Sequence, residues 1–233
     1  MLRISSFNIQ NNYTKYNVEK AEAITNYLKS NNIDILGLQE VFNLCDKDIC
    51  KKIDCGFSCY GKYRFYLKSL LRLINEKNPI ITNKKVVEKN TFHLPFFPSV
   101  LKRIITKVVI EYEGKQISIY NTHLEVMFQF VQKRQLNKIY NLISNDNNLI
   151  ILMGDFNLKN NKKIFNDFEM LLKEKGMYRI EFNHKTLKSS KYNREIDHIF
   201  LSNEFELLDK KVIEDLEVSD HYPIMIDVNL KKD

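Results

Sequence analysis

The sequence predicts an α/β domain built on a mixed sheet, or on two packed sheets, with helices outside. Three observations predict it. Apolar runs of strand length recur, "LIILM" before "GDFN" being the clearest. Helix-spaced apolar stripes fall between them. Hairpins and β-α-β passages also alternate along one chain, which mixed sheets require. At 233 residues, with 44% hydrophobic content and no Gly/Ser/Pro-rich linker, the expectation is one domain over residues 1–233.

Taken in order, "LRISSFNI" alternates as a strand, with Leu2, Ile4 and Ser6 opposite Arg3, Ser5 and Phe7. "NVEKAEAITNYLKSNN" follows as a helix, with Val18, Ala21, Ile24, Tyr27 and Leu28 on one face. "IDILGLQEV" is a buried strand that runs into Gln39 and Glu40. "NPIITN" and "KVVEKNTF" read as short strands, and "RIITKVVIEYEGKQISIYNTHLE" as a hairpin turning at Glu113-Gly114. An amphipathic helix spans about Phe128 to Ser144, then come the "LIILM" strand and a helix from about Lys162 to Lys175. "EIDHIFLS" and a last pair ending in "HYPIMIDVNL" complete the chain.

The net charge is +7 and the pI about 9.0. That balance favours a polyanionic partner, nucleic acid or an anionic membrane surface. Heavy Lys, Asn and Ile use also fits an AT-rich genome. No apolar run is long enough to span a bilayer, and the first residues alternate like a strand, so intracellular residence is the expectation. No feature asks for an obligate protein partner. The cysteines, Cys45, Cys50, Cys55 and Cys59, share one window as C-x4-C-x4-C-x3-C, without the tight pairs of usual zinc sites. They read as unlinked thiols in a surface helix and loop, with a structural metal as the alternative.

Several strands begin or end on an unusual polar residue. Asn8 closes the first strand, Glu40 the second, His123 the return strand of the hairpin, and Asp155 and Asn157 follow "LIILM". Asp197 lies inside an apolar run, and Asp220-His221 precede the last strand. Each has a structural alternative: Asn8 as a turn residue, His123 as a core histidine, Asp220 as a cap, and Asp155 with Asn157 as an Asx turn. As a set they fit strand ends converging on one sheet edge, where active sites form. Carboxylates suit a hard cation such as Mg²⁺, His and Asn donors suit phosphate oxygens, and a His–Asp pair can hold a proton. The chemistry indicated is metal-assisted hydrolysis of a phosphate ester.

"FNI", "LQEV", "NTHLE", "GDFN", "IDHIF" and "SDHYP", in this order from Phe7 to about Asp227, resemble the motif set of the endonuclease/exonuclease/phosphatase superfamily. The group includes deoxyribonuclease I, apurinic endonucleases, neutral sphingomyelinases and inositol polyphosphate phosphatases. The resemblance implies a four-layer α-β-β-α sandwich of two mixed, largely antiparallel sheets flanked by helices. It also implies Mg²⁺, with Mn²⁺ substituting, held by Glu40 with Asn8 and Asp220 beside it. Asp155 would orient or activate water, Asn157 would hold a phosphate oxygen, His221 would meet the scissile phosphate, and Asp197 would orient His221. His123 matches a second histidine, Glu76 the carboxylate supporting it, and Arg103 a phosphate contact. The usual Gly-rich lead into a middle strand is degraded here to "EKNPIITNKK".

Two segments bear on the substrate. Tyr60 to Lys77 interleaves aromatic and basic residues, as a nucleic-acid surface, a lipid-facing helix or an ordinary outer helix would. "FHLPFFPSVL", Phe92 to Leu101, suits wedging against bases or lipid if exposed, and satellite core if buried. The expected activity is a Mg²⁺-dependent phosphodiesterase on DNA or DNA ends. A sphingomyelinase-like lipid phosphodiesterase is the alternative, and a non-catalytic binding module a third class. No cysteine lies in a strand-end motif, so alkylating all four should leave hydrolysis intact. Stoichiometric zinc in the purified protein would overturn the free-thiol reading.

Overall fold

The computed structural model describes residues 1–10, 18–42, 45–52, 57–62, 76–99, 102–159, 162–189 and 194–232. Twelve strands form two six-stranded sheets. The first sheet contains β1 (Leu2–Asn8), β2 (Ile35–Gln39), β3 (Ser58–Tyr60), β4 (Ile80–Thr82), β11 (Phe205–Val212) and β12 (Ile224–Leu230), in the order β11-β12-β1-β2-β4-β3. The second contains β5 (Val86–His93), β6 (Ile104–Tyr112), β7 (Lys115–His123), β8 (Leu149–Asp155), β9 (Met177–Arg179) and β10 (Asp197–Ser202), in the order β5-β6-β7-β8-β10-β9. The three-residue strands β3 and β9 are too short for an alternation pattern and were not expected from sequence.

Each sheet has one parallel pair at its centre, β1 with β2 and β7 with β8. Each pair is joined through a helix, α1 (Val18–Ser30) and α3 (Gln129–Ser144) respectively. The β-α-β crossover is what lets two neighbouring strands run in the same direction. Helices α2 (Cys45–Lys52) and α4 (Lys163–Glu174) complete the outer layers. Period-two alternation divides the central strands between two cores. Leu2 and Ile4 face Ile151, Met153 and Ile199 in the core between the sheets. Phe7 and Ile9 face Ala21, Ile24 and Leu28 of α1. Leu152 and Phe200 face Leu136 and Ile139 of α3 and Phe165 of α4. The result is the four-layer sandwich.

Among the described residues there is no disulfide; Cys50 and Cys59 are half-buried. The side chain of Cys45 and the whole of Cys55 lie outside the described residues, as does most of the basic-aromatic stretch between Tyr60 and Lys77. No described helix is long and apolar enough to cross a membrane.

Two glycines mark where backbones approach closely. Gly154, at φ +145°, precedes Asp155, and a Cβ there would lie 2.0 Å from the Thr122 carbonyl oxygen on β7. Gly37 on β2 faces the other sheet, where a Cβ would lie 2.6 Å from Met153 Cε and 3.1 Å from Asn121 Cγ. Backbone cannot yield as a methionine tip can. Gly154→Ala should therefore cost about 3 kcal/mol or more, lowering the melting temperature by roughly 6–12 °C, and Gly37→Ala only about 1 kcal/mol. Thermal denaturation of both variants checks the order, and a reversed ranking would refute the backbone explanation.

Candidate active site

The directions of the strands decide what meets at one edge. The parallel strands β1, β2, β7 and β8 deliver their C-terminal ends there: Asn8, Gln39 followed by Glu40, His123 and Asp155. The antiparallel β10 and β12 begin at the same edge, bringing Asp197 as a first residue and His221 just ahead of the strand. Asn8, Gln39, Asn121, His123, Asp155 and Asp197 share the alternation that faces the opposite sheet. The inter-sheet space thus grades from aliphatic to neutral polar to charged. In the middle zone Gln39 Nε2 donates to Asn121 Oδ1 at 2.7 Å and to Ser6 Oγ at 3.1 Å. Asn121 Nδ2 donates to the carbonyls of Leu38 and Pro79 at 2.8 and 2.9 Å. All three side chains are fully buried.

At the edge, Asp155 and Asp197 are register partners on neighbouring strands, each 1% exposed. Asn8 Nδ2 bridges the two sheets, donating to Asp155 Oδ2 at 2.9 Å and to Glu40 Oε1 at 3.3 Å. Asp155 Oδ1 accepts the Asn157 backbone N–H at 2.8 Å. Burial, and after it the charge of Asp197, raise the Asp155 carboxyl above its ordinary range. His221 Nδ1 lies 2.8 Å from Asp197 Oδ2 and its Nε2 3.7 Å from Asp155 Oδ2. A carboxylate can only accept, so Nδ1 carries a proton. Burial alone would lower His221, but the charge and hydrogen bond of Asp197, with Asp155 and Asp220 behind, lift it to about 10. Ser219 fixes the turn into this histidine, its Oγ donating to the Asn8 carbonyl at 2.7 Å and accepting the His221 N–H at 3.1 Å.

His123 is oriented from behind. Arg103 Nη1 stands 2.8 Å from both His123 Nδ1 and Glu76 Oε1, and all three residues are buried. A guanidinium only donates, so Nδ1 accepts and the ring proton is on Nε2. That nitrogen faces Asp155 Oδ2 at 3.6 Å and Glu40 Oε1 at 3.9 Å. Burial works to lower Arg103, yet its contacts with Glu76 hold it above its ordinary value. Glu40 occupies a left-handed turn at φ +56° and its side chain remains 27% exposed at the mouth of the site. Burial, followed by the charge of Glu76, raises its carboxyl to about 7.

Asn157 also adopts positive φ, +51°, which asparagine tolerates better than most residues. Its Nδ2 donates to the Leu124 carbonyl at 3.1 Å, tying it to the loop after β7. Asp220 lies on the rim, half-buried, and accepts from Gln10 Nε2 at 3.0 Å. Gln10 in turn donates its backbone N–H to Asn8 Oδ1 at 3.0 Å, linking Asp220 to the interior. Every predicted site residue therefore lies on one edge, with Arg103 and Glu76 beneath His123 and Asp220 at the margin. Sequence reasoning missed Gln39, Asn121 and Gln10. Asn121 stands two residues before His123, so alternation alone puts it on the same face; Gln10 carries no such signal.

The donor set suits a divalent cation. Four carboxylates gather here, Glu76 and Glu40 beside Arg103 and His123, and Asp155 and Asp197 beside His221. Asp197 Oδ1 is buried without a hydrogen-bond partner among the described residues. Ligand atoms of Asp155, Asp197 and His221 lie within 4.8 Å of one another.

Residues 5–221 match the Endonuclease/Exonuclease/phosphatase family. No curated protein matches the chain. Among solved structures, a mannosyl-6-phosphatase from Bacteroides thetaiotaomicron shares 21% identity at TM-score 0.80, covering 99% of this chain and 100% of its own. The human Nocturnin catalytic domain with bound sulfate anion shares 17% identity at TM-score 0.78, covering 99% of this chain and 93% of its own. TDP2 from D. rerio, complexed with single strand DNA product, shares 17% at TM-score 0.78, covering 98% of each. At these identities the structures establish a common fold. With the family match over nearly the whole length, this chain belongs to the endonuclease/exonuclease/phosphatase family of phosphoric ester hydrolases.

Proposed function

We propose that the protein is a Mg²⁺-dependent phosphodiesterase acting on DNA or DNA ends, with Mn²⁺ able to substitute. The observation that carries the reaction is the convergence of Glu40, His123, Asp155 and His221 on one small space from four different strand ends or their flanks. The net charge of +7 supports a polyanionic substrate. So does the likeness of the fold to a protein crystallised with a DNA product.

Glu40 and Asn8 would hold the cation, with Asp220 on the rim beside them. The Glu40 and Asp220 oxygens suit a hard ion and stand on the partly exposed side of the site, with the buried Asn8 behind them. The Asp155, Asp197 and His221 alternative would require breaking a buried 2.8 Å hydrogen bond. The bound ion supplies charge neutralisation on phosphate oxygens. Asp155, elevated and held by Asn8 and Asn157, orients the attacking water and receives its proton. His221, held above its ordinary range by the Asp197 carboxylate, donates through Nε2 to the scissile phosphate. His123 donates its Nε2 proton to the same group, with Arg103 and Glu76 keeping that tautomer. Asn157 holds a phosphate oxygen, and Arg103 adds positive charge from beneath.

A second reading, a sphingomyelinase-like lipid phosphodiesterase, is favoured by one observation. Phe97 and Met127, both near this edge, are 74% and 80% exposed.

Metal dependence and the role of Glu40 can be tested together. Chelator should abolish hydrolysis, and Mg²⁺ should raise the melting temperature of the wild type but not of Glu40→Gln. Because Glu40 is lifted from 4.5 to about 7, its protonated form is the one that folding favours. Without metal, stability is then fullest below 4.5 and falls as pH rises toward 7. In chelator, Glu40→Gln should melt higher than the wild type above neutrality and no higher in acid. Unaltered hydrolysis in excess chelator would remove the metal mechanism.

The His–Asp pair has its own test. Asp197→Asn should keep the fold and lower turnover by about a hundredfold. Adding Asp197→Asn to His221→Ala should cost little more than His221→Ala alone, because the two act as a unit. Additive losses across that cycle would refute the pairing.

A further inference from the structure

Beside the active site lies a feature that the hydrolytic machinery does not use. The ten-residue connection from β5 to β6 leaves and re-enters the sheet at the active edge. It starts beyond His93 and ends at Arg103, whose guanidinium touches His123. Its described part leans on α3: Gln135 Nε2 donates to the Pro95 carbonyl at 2.9 Å and Arg134 Nη1 to the Phe97 carbonyl at 3.4 Å. Between loop and helix is a cavity of about 480 Å³ lined by His93, Leu94, Pro95, Phe96, Phe97, Lys102, Arg134 and Lys138. Three of its walls are cationic and none is acidic. Phe97 is 74% exposed; Met127, in the loop that follows His123, is 80% exposed, and Phe130, in the first turn of α3, 53%.

The composition selects the occupant. Cations set among exposed aromatic faces take a ligand that alternates negative charge with flat rings, which is the pattern of single-stranded nucleic acid. A lipid surface is served by a protruding apolar ridge ringed by cations. Here the aromatic and cationic groups line a concavity of the size discrete ligands occupy. We propose that this cavity seats the single-stranded portion of a nucleic-acid substrate next to the scissile phosphate, with a base on the exposed ring of Phe97 and backbone phosphates on Lys102, Arg134 and Lys138. The proposal rests on the nuclease reading of the neighbouring site and assigns it a substrate form. The substrate's unpaired strand is gripped beside the bond to be cut.

The test separates binding from cleavage. A labelled single-stranded oligonucleotide is titrated by fluorescence anisotropy in chelator, across a range of salt. Removing two cations with Arg134→Ala and Lys138→Ala should weaken binding and flatten the slope of log affinity against log salt by roughly 1.4. Phe97→Ala should weaken it about tenfold with the slope unmoved, and Phe97→Tyr should restore it, since the ring and not the residue is required. Turnover of a small chromogenic phosphodiester with Mg²⁺ should be the same in all these variants, which also reports that they fold. Oligonucleotide affinity indifferent to every substitution would overturn the proposal. So would loss of binding to anionic phospholipid vesicles with oligonucleotide affinity intact, which would assign the surface to a membrane. Cleavage is read apart: wild-type cleavage that ignores the substitutions would sink the cavity and leave the nuclease reading standing. Sensitive binding without any cleavage would uphold the cavity and sink that reading.

Discussion

Two carboxylates set face to face organise this molecule. Asp155 and Asp197 are opposite members of adjoining strands, buried, and of like charge. Neither a mixed sheet nor an aliphatic core tolerates that pair unaided. The surroundings answer it from several directions. Asn8 reaches across from the other sheet, Asn157 gives a backbone N–H, and His221 places a positive ring between the two. Asp197 thereby holds the histidine, while the Asp155 carboxyl is left raised above its ordinary range. One repulsion, divided unequally, yields a fixed partner for the histidine and a group able to accept a proton.

The neutral zone beneath these charges makes their position possible. Ser6, Gln39 and Asn121 form hydrogen bonds between the sheets where aliphatic packing ends. Without such a layer, charged groups would adjoin hydrocarbon directly, and the desolvation cost would fall on the reactive carboxylates. Gly37 keeps the sheets close enough for Gln39 and Asn121 to meet, since any side chain there would press on Met153 and Asn121. Gly154 does the same for the neighbouring strands one residue before Asp155. The run of apolar residues into Gly-Asp-Phe-Asn is thus a buried strand ending where a close approach and a charged site coincide.

Much of this was legible in the sequence. Alternation located the long strands, helical spacing located α1, α3 and α4, and the polar residues at strand ends pointed to an edge. What remained hidden was short or relational. β3 and β9 span three residues each and have no period to detect. Arg103 reads as a phosphate contact by position, but only the fold shows it wedged beneath His123, selecting that ring's tautomer. Gln10 looks like a loop residue, and its link between Asn8 and Asp220 depends on a turn with positive φ. Phe92–Leu101 could be core or surface by composition, and it is both: Leu94 is buried while Phe97 projects into solvent.

The order of strands in the first sheet has a consequence for how the chain comes into being. β1 pairs with β2 on one side and with β12 on the other, and the whole second sheet is encoded between those two partners. During synthesis, the first strand emerges early and waits with one flank open for most of the chain's length. Only when β12 arrives does that flank close, and His221, immediately upstream, arrives with it. A chain translated only as far as β11 therefore lacks the ring that completes the Asp197 pair. The edge on which the polar strand ends converge is thus closed only after every strand of the second sheet has been made.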